Sequence, residues 1–253
     1  ISVATGEFTT AAEIALQNGS LDGWDGSSPN AATDSKFWDT SNEGAKMGGL
    51  TPTQAVTDFV HTQGGKAAKL ESGKVDLMGG IFAAASLYTG SFGSTNIWTQ
   101  TATVNFGQSF TARPIALKGF YKYTPNVINL VKNVPAGVTI VKDQTLDQCA
   151  IYIALAKKTY TIDNGNQSTF IDFKNDENII AYGELPSGAA TEGDGYVEFN
   201  IPLKYKNLTD QPTHIIVVCS SSKYGDYMTG GAGSTLYVDD LSLIYDGTPT
   251  IWE

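Results

Sequence analysis

Phe37-Trp38-Asp39 followed by Asn42 places an aromatic face beside a carboxylate and an amide. That set suits a sugar, because a ring stacks on the apolar C–H face while planar side chains hydrogen-bond the hydroxyl rim. Trp24 lies in the same Gly-, Ser-, Asp- and Asn-rich stretch and offers a second ring. Arg113, just ahead of Pro114, could present a forked donor to hydroxyls or to a uronate carboxylate, or anchor its own loop through carbonyls. Tyr121 and Tyr123 share one face of an alternating run with Ile115 and Leu117, so core packing competes with a binding role there. Tyr224, in the polar segment Lys223-Tyr224-Gly225-Asp226, is a further candidate. For both tryptophans the competing reading is packing in the core or against a loop.

Other chemistries find less to work with. Two cysteines, Cys149 and Cys219, and two histidines, His61 and His214, cannot build a Cys-rich zinc site or a CxxC redox motif. Both cysteines sit in strand-like apolar runs and read as buried thiols, with a disulfide between them as the alternative. No GxSxG, GxxxxGK[ST] or HExxH motif occurs. Gly230-Gly231-Ala232-Gly233 leads into a strand rather than a helix, which argues against a phosphate cradle. The 26 acidic residues include Asp39, Glu71, Asp147 and Glu184 as picks for a hydrolytic carboxylate pair, but no motif selects two of them.

The elements that must position these residues are strands. Charged residues are only 17% of the 253, and 27 glycines with many Thr, Ser and Asn fill the difference. The net charge of −10 excludes a nucleic-acid partner, since no basic patch is available to neutralise phosphates. The longest apolar stretches, 81–87 and 215–219, fall far short of the ~20 residues of a membrane helix, so no membrane insertion of this segment is expected. The chain opens at Ile1 with no leader, as a trimmed product of a longer, exported precursor would.

Period-two alternation runs through 115–123, 197–204 and 236–245. In the last of these, Asp239-Asp240 shifts the phase, as a β-bulge does. Residues 151–155 and 215–218 are near-continuously apolar and β-branched, which marks central strands. Thr-Pro-Asn at 124–126, Asp-Asn-Gly-Asn at 163–166 and Glu-Gly-Asp-Gly at 192–195 supply turns between runs. Thr51-Pro52, followed by Ala55, Val56, Phe59 and Val60 and closed by Gly64-Gly65, reads either as a short helix or as a loop. Trp98 reads as strand packing and Trp252 as part of a frayed tail. The expected architecture is all-β: one antiparallel β-sandwich of jelly-roll type, a single domain over residues 1–253.

The two ends add a resemblance. Asn18-Gly19-Ser20-Leu21-Asp22-Gly23-Trp24 resembles the opening strand of jelly-roll carbohydrate-binding modules, and Ser234 to Leu243 resembles their closing strand. In those modules the first acidic residue of each run commonly meets at a structural calcium, which implies Asp22 and Asp239 as ligands here. Calcium wants six to eight hard oxygens, which acidic side chains and carbonyls supply. The competing reading is that Asp239 caps the bulge and Asp22 forms an Asx turn into Gly23.

A longer resemblance covers nearly the whole chain. Phe37–Asn42, Lys66–Glu71, Leu87–Phe92, Phe106–Pro114, Lys118–Tyr123, Ile180–Glu184, Ser220–Asp226 and Gly233–Asp240 occur in an order similar to the putative carbohydrate metabolism domain of exported, often lipid-anchored surface proteins of gut Bacteroidetes. The resemblance implies a carbohydrate-binding-module-like sandwich, export to the cell surface or periplasm, and a role in glycan use. The leading expectation is therefore non-catalytic binding of a polysaccharide or oligosaccharide. A glycoside hydrolase or lyase with a carboxylate pair, and an adhesion domain using the sandwich edges, are the alternatives.

Overall fold

The computed structural model describes residues 12–76, 80–96 and 98–252. The strands, in chain order, are β1 (Trp38–Thr40), β2 (Thr53–Val56), β3 (Ala67–Glu71), β4 (Gly73–Val75), β5 (Ile81–Ala83), β6 (Ser86–Asn96), β7 (Thr101–Phe106), β8 (Gln108–Ser109), β9 (Ala116–Thr124), β10 (Ala150–Ala156), β11 (Tyr160–Asp163), β12 (Ile179–Glu184), β13 (Val197–Pro202), β14 (Lys204–Tyr205), β15 (His214–Ser220), β16 (Thr235–Ile244) and β17 (Thr250–Ile251). A single turn of helix, α1 (Asn42–Ala45), follows β1. No helix among the described residues is long and apolar enough to cross a membrane.

A ten-stranded sheet runs β11-β7-β6-β15-β10-β12-β14-β17, with β1 added to β6 and β8 to β15. A five-stranded sheet runs β13-β9-β16-β3-β2, and β4 and β5 form a separate hairpin. The pairings are antiparallel except β14 with β17. The two sheets face each other as a jelly-roll sandwich. Between them lie Leu70, Leu87, Leu117, Ile153, Leu155, Ile201, Val217, Leu236 and Val238, all fully or almost fully buried. Burying a side chain of this kind contributes about 1.5–3 kcal/mol, so this layer dominates the stability.

The near-continuous apolar runs of β10 and β15 have a direct cause. Ile153 and Val217 face the inter-sheet core, whereas Ala154, Ile216 and Val218 face a second cluster on the outer side of the larger sheet with Tyr88, Phe106, Tyr160 and Ile179. The segment between β11 and β12 covers part of that outer face with Phe170, Ile171 and Phe173. The phase shift at Asp239-Asp240 is a register break of β16 against β9 between Asp239 and Ser242, with Asp240 in the left-handed region at φ 49°.

Three local expectations are corrected. Residues 53–56 form the edge strand β2, paired with β3 from Thr53↔Leu70 to Val56↔Ala67. The helical pattern there is too short to propagate, and an edge position on an existing sheet supplies ladder bonds that an isolated turn lacks. Trp98 stands in a turn at 85% exposure rather than in a packed strand. Trp252 is held, not frayed: its N–H donates to Tyr205 O and its ring stacks toward Tyr182 at 6.2 Å. Cys149 and Cys219 are free, buried thiols, and burial pushes Cys149 up to about 12.

Candidate functional site: a cleft on the outer face of the larger sheet

Directly opposed residues of an antiparallel ladder share a face. Asp39↔Tyr88, Tyr88↔Val218, Val218↔Tyr152 and Tyr152↔Glu184 therefore form one row across β1, β6, β15, β10 and β12. Over the middle of this row lies a cleft of about 190 Å³, lined by Tyr88, Tyr152, Val218 and Ser220 from the sheet and Val104 and Phe106 from β7. The hairpin residues Ile81 and Phe82 and the loop residues Gly225, Asp226 and Met228 close its sides. Asn96, Gln100 and Asn164 add amides, and Met47 stands at its edge with 61% exposure. Trp98 tops the β6–β7 hairpin whose base residues Asn96 and Gln100 line the cleft, and its N–H donates to Asn96 Oδ1 at 3.0 Å.

Asp226 is the carboxylate of this cleft. It sits in a one-turn 3-10 segment, Gly225–Tyr227, that ends with Met228 in the left-handed region at φ 58°. It is an exposed residue that lines the cleft, and desolvation by the surrounding protein pushes its carboxyl up to about 6. Tyr152 is pushed far upward, first by burial and then by the negative charges of Asp226 and others including Glu184. Its hydroxyl thus stays protonated and able to donate.

A buried polar network fixes the loop that carries Asp226. Asp147, 1% exposed, accepts from Ser222 Oγ at 2.6 Å, Gly231 N at 2.8 Å and Ser234 Oγ at 3.0 Å through Oδ2. Gln148 N donates to its Oδ1 at 2.8 Å. Ser72 Oγ joins Ser221 Oγ and Ser222 Oγ at 2.6 and 2.9 Å. One carboxylate thus grips both ends of the 222–231 loop. The glycine run matters here for close approach: a Cβ on Gly230 would lie 2.3 Å from the Phe82 ring, and one on Gly231 2.7 Å from Val127 O.

The residues expected from sequence to bind are mostly elsewhere. Trp38 is fully buried in the inter-sheet core, its Nε1 donating to Gln17 O at 2.8 Å, so it offers no face to a ligand. Asp39 accepts from Thr40 N and Phe92 N and pairs with Lys36 at 2.8 Å; these bonds fasten β1 beside β6. Asn42 clamps β2 by donating to Thr53 O and accepting from Thr53 N, both at 2.8 Å. Trp24 is half-buried against the core and donates to Leu21 O at 2.6 Å. Tyr121 packs edge-on to Phe199 at 5.7 Å on the core side of β9. Arg113 donates through Nη2 to Asp210 O, with its guanidinium 5.9 Å from the Tyr205 ring centroid, as a loop anchor would. Tyr224 is half-buried two residues before Asp226 and does not line the cleft. Compact segments rich in Asn, Asp and Trp satisfy their own backbone, and that demand consumed these side chains.

Asp22 and Asp239 do converge on one feature. Asp239 accepts from His61 N at 2.7 Å and from Asp240 N at 2.8 Å, and Asp22 accepts from Lys66 N at 2.7 Å. Both carboxylates therefore fasten the loop between β2 and β3 by taking amide hydrogens. His61 adds a contact from Nδ1 to Asp240 Oδ2 at 2.7 Å and stacks on Phe120 at 3.5 Å. Amide donors in these positions fit a cation poorly, and among the described residues no group of three or more His, Cys, Asp and Glu could hold a metal.

The comparisons agree with this architecture. Residues 14–244 match the family described as "Putative carbohydrate metabolism domain". The chain belongs to that family. No curated protein matches it. A solved structure of a putative glycoside hydrolase from Bacteroides thetaiotaomicron is 24% identical, with a TM-score of 0.63, over 83% of this chain and 63% of that one. A second, from Bacteroides vulgatus, is 24% identical with a TM-score of 0.60, over 85% of this chain and 88% of that one. The chain thus spans less than two thirds of the first of these proteins, and at this identity the likeness is one of fold. For this member of the family, the cleft residues missed in the sequence were partly signalled: Asp226 closes one of the ordered segments that carry the resemblance.

Asp226 makes a pH prediction. Its folded-state value near 6 lies above the unfolded value of about 4. The folded state then holds a proton that the unfolded state has released. This contribution is fully present below the unfolded value and is lost as pH rises through about 6. Asp226→Asn is expected to remove that loss, so melting temperatures of the variant should fall less than those of the parent between pH 4 and 7. Parallel curves would assign the titration to other groups.

Proposed function

We propose that this protein binds a glycan, without cleaving it, in the cleft on the outer face of the larger sheet, and does so as an exported cell-surface or periplasmic protein. The observation that carries the reading is the concave site itself: tyrosines in the floor, amides and a carboxyl in the lining, and Trp98 exposed on the β6–β7 hairpin whose Asn96 and Gln100 line it. Such a mix of stacking faces and few oriented polar groups is what sugar recognition requires. Family membership supports a role in carbohydrate handling.

The test is a thermal-shift scan of plant and host polysaccharides with released reducing ends measured in the same wells. The expected result is a raised melting temperature for at least one glycan, no new reducing ends, and an affinity about tenfold weaker in Trp98→Ala, the loss of one stacking contact. One observation favours a second reading, hydrolysis: Asp226 lines the cleft with its carboxyl pushed up to about 6, and Glu184 stands opposite Tyr152 in the β10–β12 ladder. New reducing ends, lost in Asp226→Asn, would establish that reading and displace the first.

Asp22 and Asp239 have a structural part in the same proposal, as fasteners of the loop between β2 and β3 that need no calcium. EDTA is expected to leave the melting temperature unchanged. A fall of several degrees, reversed by calcium, would place the cation at these two residues.

A further inference from the structure

The cleft is more apolar than a bare sugar needs. Its walls combine the rings of Phe82, Phe92 and Phe106 with Val218 and the thioethers of Met47 and Met228. Its polar groups include Asp226, Lys223, the Tyr152 hydroxyl, Asn96, Gln100 and Asn164, whose Nδ2 is already turned to Met228 Sδ at 3.0 Å. A pyranose carries hydroxyls around its whole rim, and each one buried against hydrocarbon without a partner costs about 1–3 kcal/mol. An aromatic ring loses nothing on that wall. It gains edge-to-face contacts with phenylalanines and contacts with methionine sulfur, each worth roughly 0.5–1.5 kcal/mol.

We propose that the cleft seats an aromatic ring carried by the glycan, an aryl or aroyl substituent, while the sugar lies across the rim toward Trp98. The ester or ether oxygen that joins ring to sugar faces the Tyr152 hydroxyl, which donates to it, with Asp226 lining the same cleft. This inference rests on the carbohydrate reading and sharpens it to a class of ligand.

The experiment compares matched probes on the full chain by calorimetry: methyl and 4-nitrophenyl glycosides of glucose, galactose, xylose and arabinose, with benzyl alcohol as a ring without a sugar. For at least one sugar the aryl glycoside is expected to bind tenfold or more tightly than its methyl counterpart. Ala83→Trp, which places bulk in the cleft from the half-buried β5, is expected to reduce that ratio to within twofold while the melting temperature stays as it was. Should that variant fail to fold, Met47→Lys at the exposed edge applies the same test by charge. Equal binding of methyl and aryl glycosides overturns the inference and leaves the carbohydrate reading standing. Benzyl alcohol binding as well as any glycoside overturns the carbohydrate reading and keeps the aromatic pocket. No binding of any probe at millimolar concentration overturns both.

Discussion

Trp38→Ala is expected to destabilise the fold by about 3–5 kcal/mol, the usual cost of emptying a large aromatic site in a core. For a chain of this size that is a fall in melting temperature on the order of 10 °C. The indole is fully buried, hydrogen-bonded through Nε1 to Gln17 O, and edge-on to Phe37 at 5.7 Å. Its removal leaves a cavity between the sheets and an unpaired carbonyl. Glycan affinity, measured well below the variant's melting temperature, is expected to stay within twofold of the parent, because the indole and the cleft lie on opposite faces of the larger sheet. An unchanged melting temperature with binding lost would return Trp38 to the ligand.

Asp147→Ala is expected to have an effect of similar size and a different character. The substitution leaves two serine hydroxyls and two backbone N–H groups in the interior without their acceptor. Leaving even part of this set unsatisfied costs about 3–5 kcal/mol at about 1–3 kcal/mol per group. Burial already pushes the Asp147 carboxyl upward, with the serine and backbone donors pulling it back, so the network is strongly coupled. Unlike Trp38→Ala, this variant is expected to weaken ligand binding even where it remains folded, since Ser222 and Gly231 bracket the loop that presents Asp226. Denaturant unfolding together with titration of a bound glycan separates the two effects. A variant as stable as the parent would show that the serines repartner among themselves.

The substitutions at Trp38 and Asp147 also mark where reading the sequence stops. Trp38 next to Asp39 and Asn42 has the composition of a sugar site, and all three residues serve the fold: one fills the core, one fastens β1, and one clamps β2. Asp147 was one acid among 26 and proved to be the buried acceptor of a serine cluster drawn from three distant segments. Trp98, between apolar and β-branched neighbours, read as packed and is the most exposed large apolar side chain among the described residues.

By itself the sequence determined the all-β class, the central strands β10 and β15, the alternating strands β9, β13 and β16, and the bulge at Asp239. It also determined the family, through eight short segments in fixed order. Each of these is a local property: period two, β-branched composition and turn residues act over a few neighbours, and order along the chain needs no third dimension. Only the tertiary structure decided which aromatic rings are buried and which are open, and which of the acids stand in the cleft. Those properties depend on register. Val218 meets Tyr88 and Tyr152 because β15 lies between β6 and β10, strands 130 and 66 positions earlier in residue number at those contacts. A shift of one residue in either ladder would turn the row to the other face. No window of sequence encodes that choice. It is made when the two sheets close on their shared core, and the cleft is what the outer face has left uncovered.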